Sequence, residues 1–225
     1  MRWVKAEYEV GSFFSYRIPD YPSPSYALSS PLPGPSTIKL AIVSTAIQTT
    51  GDINYGEKIF KAVRDAKIKI KVPKKIAVYN PFIKRLKKKK GGAHFEPTFG
   101  IRGYIHFLET LCIYLEVEIK VEEEIQELLK KIRRLGTSDS LVWCKWVTNE
   151  APTNSCIEAV ETLEEAQRNV LLVPVRDLNP LTEFDTINPY TCPKRKEKDI
   201  FVKKFFLLPI SKKISGKNWI IYETR

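Results

Sequence analysis

Apolar and polar positions alternate or recur in a few regular runs along the chain. Trp3 to Val10 sets Val4, Ala6, Tyr8 and Val10 on one side and Lys5, Glu7 and Glu9 on the other, the period-two pattern of a half-buried strand. The segment from Arg17 to Pro35 holds six prolines and cannot be regular structure. Ser36 then offers an N-cap, and Ile38, Ala41, Ile42, Thr45 and Ala46 recur at helical spacing, which predicts a helix ending near Gly51. A shorter helix over Glu57 to Ala66 would bury Ile59, Phe60 and Val63. Lys67, Lys69 and Lys71 alternate with Ile68, Ile70 and Val72, a strand with one wet and one dry face. Phe99 to Phe107 and Leu111 to Val117 alternate again on either side of a break at Glu109 and Thr110. The clearest helical stripe is Ile125, Leu128, Leu129, Ile132 and Leu135. Glu122, Glu123 and Glu124 in its first turn and Lys130, Lys131, Arg133 and Arg134 in its last match the macrodipole, and Gly136 stands where a left-handed cap is wanted. Leu141 to Thr148 reads as a further strand.

The main elements therefore follow in the order strand, helix, strand, strand, helix, strand. This is the ferredoxin-like βαββαβ plan, an α+β fold shared with RNA-recognition modules, although a fold alone does not give a function. Beyond Glu150 the pattern changes to strands over Val170 to Val175, Ile200 to Leu208 and Lys217 to Tyr222, separated by proline-rich loops that include the basic run Lys194, Arg195, Lys196. We expect a ferredoxin-like domain over residues 1–150 and a smaller C-terminal β-rich part over 151–225.

Charge changes this picture at one place. The 225 residues carry a net charge of +11, and the stretch from Lys67 to Lys90, with ten lysines, Arg85 and no carboxylate, accounts for an excess of the same size. From Pro73 onward the apolar residues thin to Ile76, Val78, Phe82, Ile83 and Leu86, and Lys87, Lys88, Lys89, Lys90, Gly91 and Gly92 form a tip. The expectation is a long basic hairpin over residues 73–99, inserted in the central hairpin of the plan and projecting from it. Concentrated like charge without carboxylates favours a polyanionic partner, with nucleic acid ahead of an anionic membrane. Tyr79, Phe82, Phe95, Phe99 and Tyr104 interleave with the cations, as stacking on single-stranded RNA would use. Lys74, Lys75, Lys84, Arg85, Lys87, Lys88, Lys89, Lys90, His94, Arg102, Tyr104 and His106 are the RNA-binding candidates of this region.

Other classes of function find little support. No apolar run approaches the roughly 18 residues of a spanning helix, and the first ten residues alternate like a strand instead of resembling a signal sequence, so a cytoplasmic protein without membrane contact is expected. Cys112, Cys144, Cys156 and Cys192 are scattered without zinc spacing, and neither a metal nor a cofactor is expected. No phosphate-binding Walker loop, GxSxG elbow or HExxH pair occurs. Tyr104 and His106 point the same way from one strand and could serve acid–base cleavage of RNA, but no third group completes them. Gly100 and Gly103 either let a backbone approach RNA closely or mark a bulge.

The segments SFFSYRIPD, PLPGPST at the entry to the first helix, the basic arm ending in FGIRGYIHF, and IRRLGTSDSL together resemble CRISPR-associated protein family five, of the RAMP superfamily, with the type I-A branch nearest. The resemblance covers nearly all of residues 1–150. It implies a non-catalytic subunit of a type I surveillance (Cascade) complex. Such a subunit has a ferredoxin-like domain with a hairpin thumb, holds the 5′ handle of the guide RNA (crRNA), and touches the backbone subunit and the large subunit. Target DNA near the PAM would be a further contact. On this chain the thumb would be residues 73–99, and the proline-rich entry to the first helix, with Tyr16 and Arg17, would lie near the handle. One branch, type I-C, cleaves repeat RNA through a Tyr, an adjacent Lys–His pair and surrounding basic residues. Here His94 follows Ala93 and His106 follows Ile105, so the pair is missing.

Overall fold

The computed structural model describes residues 1–11, 13–19, 25–89, 91, 94–162, 170–188 and 200–225. In chain order the first elements are β1 (Arg2–Val10), β2 (Tyr26–Ala27), α1 (Pro35–Thr50), α2 (Ile53–Val63), β3 (Ile68–Lys71) and β4 (Lys75–Tyr79). Next come β5 (Phe82–Lys88), β6 (Phe95–Arg102), β7 (Tyr104–Phe107), β8 (Leu111–Val117), α3 (Glu122–Lys131) and β9 (Val142–Asn149). The remainder supplies β10 (Cys156–Glu158), β11 (Leu171–Leu178), α4 (Phe184–Ile187), β12 (Phe201–Leu208), β13 (Ile210–Ser215) and β14 (Trp219–Thr224). This is an α+β fold.

A five-stranded, wholly antiparallel sheet in the order β10-β3-β8-β1-β9 forms the centre. Alternation places Val4, Ala6 and Tyr8 of β1 on its inner face, where all three are fully buried with Ile38 and Ile42 of α1, Ile59 of α2 and Ile125 of α3. The Tyr8 hydroxyl, carried into this layer, donates to the Leu129 carbonyl at 2.8 Å and so loses no hydrogen bond on burial.

Three local expectations are corrected. Gly34, not Ser36, caps α1; Pro35 fills the first turn, and the Ser36 hydroxyl instead donates to the Arg176 carbonyl at 2.9 Å. The second helix starts earlier than Glu57, because Asp52 accepts from the Asn54 N–H and caps it. The third helix stops at Lys131, and Ile132 is extended (ψ 128°). Ile132 and Leu135 are buried as the apolar stripe requires, but from an extended segment, tied by Val142 N–H to the Arg133 carbonyl and Leu135 N–H to the Ser140 carbonyl. Gly136 has the positive φ expected (106°) for a different reason. A Cβ there would lie 2.8 Å from the Ser15 carbonyl oxygen, so glycine lets this loop rest on residues 14–16.

The basic arm is shorter than its composition suggests. Strand β4 lies inside a second antiparallel sheet, β13-β14-β4-β7, with Ile76 fully buried, so the projecting part begins at Phe82. Strand β14 is the partner that no local pattern announces; Thr224 N–H also donates to the Lys74 carbonyl at 2.9 Å. Strands β5 and β6 form the outer hairpin, and β2 adds to β6 in parallel. Gly100 and Gly103 allow that addition: a Cβ would stand 2.7 Å from the Ser25 carbonyl oxygen and 2.3 Å from the Ser29 nitrogen, respectively. The close approach that these glycines serve is that of the chain's own residues 25–29.

Residues after 150 contribute to both sheets and to the same core. Strand β10 joins the edge of the first sheet, β13 and β14 complete the second, and β11 with β12 packs on α1. The basic run Lys194 to Lys196 lies outside the described residues. Among the described residues no helix is long and apolar enough to cross a membrane.

Candidate nucleic-acid interface

Opposed residues of an antiparallel hairpin share a face, which gives β5–β6 two chemically different sides. One side carries Phe82, Lys84, Leu86 and Lys88 opposite Ile101, Phe99, Pro97 and Phe95; Phe82 and Phe99 stack at 5.6 Å and Lys84 sits over the Phe99 ring. The other carries Ile83, Arg85 and Lys87 opposite Gly100, Thr98 and Glu96. This second side forms one wall of a cleft of about 330 Å³, whose other wall is Ser15, Arg17 and Thr137.

Three cations converge on the cleft. Arg17 and Arg85 are exposed, and the half-buried Arg102 reaches Asp139 at 3.3 Å while standing 5.7 Å over the Tyr104 ring. Arg17 and Thr137 are shared with a larger groove of about 820 Å³ between α1 and the segment that leaves α3. Lys131, Arg133 and Arg134 line that groove on one side, and Ser44, Gln48 and Thr49 of α1 line it on the other. Cleft and groove form one continuous path in which guanidinium groups alternate with hydroxyl and amide groups. Forked donors beside neutral hydrogen-bonding groups suit phosphate and sugar along a single strand.

The sequence-selected residues divide on this geometry. Arg17, Arg85 and Arg102 meet in the cleft, with Tyr104 attached to it through Arg102. Tyr16 lines the groove, but its hydroxyl is turned inward against the start of α1, and burial pushes its pKa up. Lys87 continues the cleft side of the hairpin, two residues and about 7 Å beyond Arg85, whereas Lys84 and Lys88 point to the opposite side. Lys89 closes the described end of the hairpin by an N–H bond to the His94 carbonyl at 3.0 Å, and both side chains are exposed. Lys90 lies outside the described residues. Lys74 and Lys75 sit on the second sheet beside Glu109 and Glu223, away from the cleft. His106 is exposed on β7, with its ring 6.3 Å from Phe13.

Lys131, Arg133 and Arg134 are the site residues that sequence reasoning missed. They look like the positive end of a helix, and only the early stop of α3 at Lys131 turns both arginines into the groove. The cysteine thiols of Cys112 and Cys144 are pushed up by burial, which suits packing better than nucleophilic chemistry.

No protein-family model matches the chain. The CRISPR-associated protein Cas5 of Archaeoglobus fulgidus is 40% identical over 234 residues, covering 99% of this chain and 99% of the relative. The crystal structure of a CRISPR protein from Archaeoglobus fulgidus matches with a TM-score of 0.51 over 100% of this chain and 92% of the other, at 14% identity, a likeness of fold. An α+β fold with this relative defines a CRISPR-associated protein of antiviral defence. The chain belongs to the Cas5 family.

Proposed function

We propose that this chain is a non-catalytic subunit of a type I CRISPR surveillance (Cascade) complex that binds and caps the 5′ handle of crRNA in the cytoplasm. The observation that carries the reading is the continuous path from Arg85 and Arg102 through Arg17 to Arg133 and Arg134, open to solvent and lined by donors. The four strands of the βαββαβ plan correspond to β1, β3, β8 and β9. Their sheet order, β9-β1-β8-β3, supports reading residues 1–150 as a ferredoxin-like domain with the hairpin as its thumb. The thumb on this reading is residues 82–102. For backbone and large subunits the outer face of the first sheet is the better candidate: Trp143 and Trp146 are exposed on edge strand β9 beside Glu9 and Glu7, whose carboxylates disfavour phosphate. The deciding experiment is isolation of the protein with its complex and sequencing of the RNA it protects. Recovery of guides sharing one 5′ end, cross-linked to residues 17, 85 and 133, supports the proposal, and cross-links confined to other surfaces would sink it.

The alternative, a metal-independent endoribonuclease, rests on Tyr104 and His106. Their ring neighbour is Phe13, at 5.8 and 6.3 Å, which can orient an imidazole but cannot relay a proton. Repeat RNA incubated with the purified chain in EDTA should therefore stay intact. Site-specific cleavage that His106→Ala abolishes would overturn the non-catalytic reading.

The hairpin should also separate dynamically from its base. Phe82, Leu86, Phe95 and Phe99 are more than half exposed, too little burial to offset about 1–2 kcal/mol of backbone entropy per ordered residue. Amides of 82–88 and 95–99 should exchange fast in the free protein and slow markedly with RNA bound, while 76–79, paired with β7 and β14, stay protected throughout. Slow exchange of the hairpin without RNA would show that it is already packed.

A further inference from the structure

The second sheet has a solvent face that the path above does not use. On it Tyr104 of β7 is opposite Tyr79 of β4, and Tyr79 is opposite Trp219 of β14. Three aromatic residues therefore stand in register across adjacent strands about 4.8 Å apart, with the Trp219 ring resting over Gly216 of the turn before it. The alternate positions Ile76, Ile105 and Phe107 are buried, which fixes this face as the outer one. Tyr79 is 43% and Trp219 39% exposed. Phe13, 49% exposed, extends the row past β7 with its ring 5.8 Å from that of Tyr104.

Two observations select the occupant. The row is continuous with the basic cleft, because Arg102 lines the cleft and also covers the Tyr104 ring, so a strand leaving the cleft meets Tyr104 first. At its other end the face carries the exposed Lys217 in the turn before Trp219, whereas Lys75, further along β4, is offset by Glu223 at 3.9 Å. We propose that Tyr104, Tyr79 and Trp219 form a platform on which unpaired bases of a single-stranded nucleic acid stack after its backbone leaves the cleft. Rings on neighbouring strands of an antiparallel four-stranded sheet can each take one base, and stacking tolerates any base because every base has a π face. Arg102 would hold the phosphate between cleft and platform. This site rests on the reading of the chain as an RNA-binding subunit.

The test uses the full chain and an oligouridine RNA of about 15 nucleotides carrying 4-thiouridine. Photocross-links in the unaltered protein should map to Tyr79, Tyr104 or Trp219. Tyr79→Ala and Trp219→Ala should each weaken binding about 10-fold without changing its salt dependence, because stacking releases no counterions. Tyr79→Phe should stay within about twofold, since the ring remains, and blunt duplex RNA should be insensitive to all three. If the alanine variants keep the wild-type melting temperature and bind as the wild type does, while Arg133→Ala still weakens binding, the platform is wrong and the cleft stands. Loss of effect at Arg133 as well removes both. Where an alanine variant does not fold, the cross-link map decides, and its absence from these three residues overturns the platform; this face then belongs to a protein neighbour.

Discussion

Replacing Arg17, Arg133 and Arg134 together with alanine should weaken binding of a single-stranded guide RNA by about 50-fold at 0.15 M salt and reduce the slope of log K against log[salt] by about 2. Both figures follow from about 0.7 counterions released per phosphate contact on a single strand, taken over three contacts. The arginines line one groove and share it with neutral donors of α1, so they engage the same stretch of backbone. The tip lysines make the natural comparison. Changing Lys87, Lys88, Lys89 and Lys90 to serine should have a smaller effect, because of the two lysines in the hairpin register, Lys87 and Lys88, only Lys87 shares the side of Arg85. Filter binding at several salt concentrations measures both. A tip variant that loses more than the groove variant would move the interface out to the end of the hairpin.

Asp177→Ala should destabilise the protein by about 3–5 kcal/mol at neutral pH, because it leaves a buried ammonium without its counter-charge. Lys39, on α1, is 2% exposed; its Nζ donates to Asp177 Oδ1 at 2.7 Å and to the Arg64 carbonyl at 2.8 Å. Lys204 approaches the other carboxylate oxygen at 3.2 Å. This contact ties helix α1 to strand β11 in the C-terminal third. Burial lowers the Lys39 pKa from its ordinary 10.5, and Asp177 opposes that fall. In the window between the lowered folded value and 10.5 the unfolded chain binds the proton more strongly, so stability from this group rises with pH. Without Asp177 the folded value drops further and the window widens downward. The deficit of Asp177→Ala relative to wild type should therefore shrink as pH rises from neutral through the two lowered folded values, and level off above them. Adding Lys39→Met should recover most of it at neutral pH. Urea denaturation of the three proteins is the measurement, and a deficit that is small or independent of pH would mean that Lys39 finds water or another partner.

Alternation at Trp3 to Val10 and Leu111 to Val117, and the Val- and Trp-rich run Leu141 to Thr148, marked the three adjoining strands β1, β8 and β9 within a residue or so, because strand periodicity and β-favouring composition are carried by a strand's own residues. The stripe Ile125 to Leu135 also marked buried positions correctly, yet overran α3 by a turn. An extended segment pinned to Ser15 and Val142 can bury Ile132 and Leu135 as a helix would. The basic arm was visible as composition, but its base was not, since Ile76 is covered through pairing with residues some 145 positions later.

What the sequence determined by itself is the set of properties carried by neighbouring residues: which runs are strand or helix, where the +11 excess lies, and the motifs that resemble the family. Tertiary structure alone decided which of those cations act together. Arg17, Arg85, Arg102, Arg133 and Arg134 come from four separate stretches, and their common path exists because the loop after α3 rests on residues 14–16 and the segment 25–29 lies against the hairpin. Strand pairing and the end of a helix are settled by hydrogen bonds and buried surface between distant segments, and no local period encodes those partners.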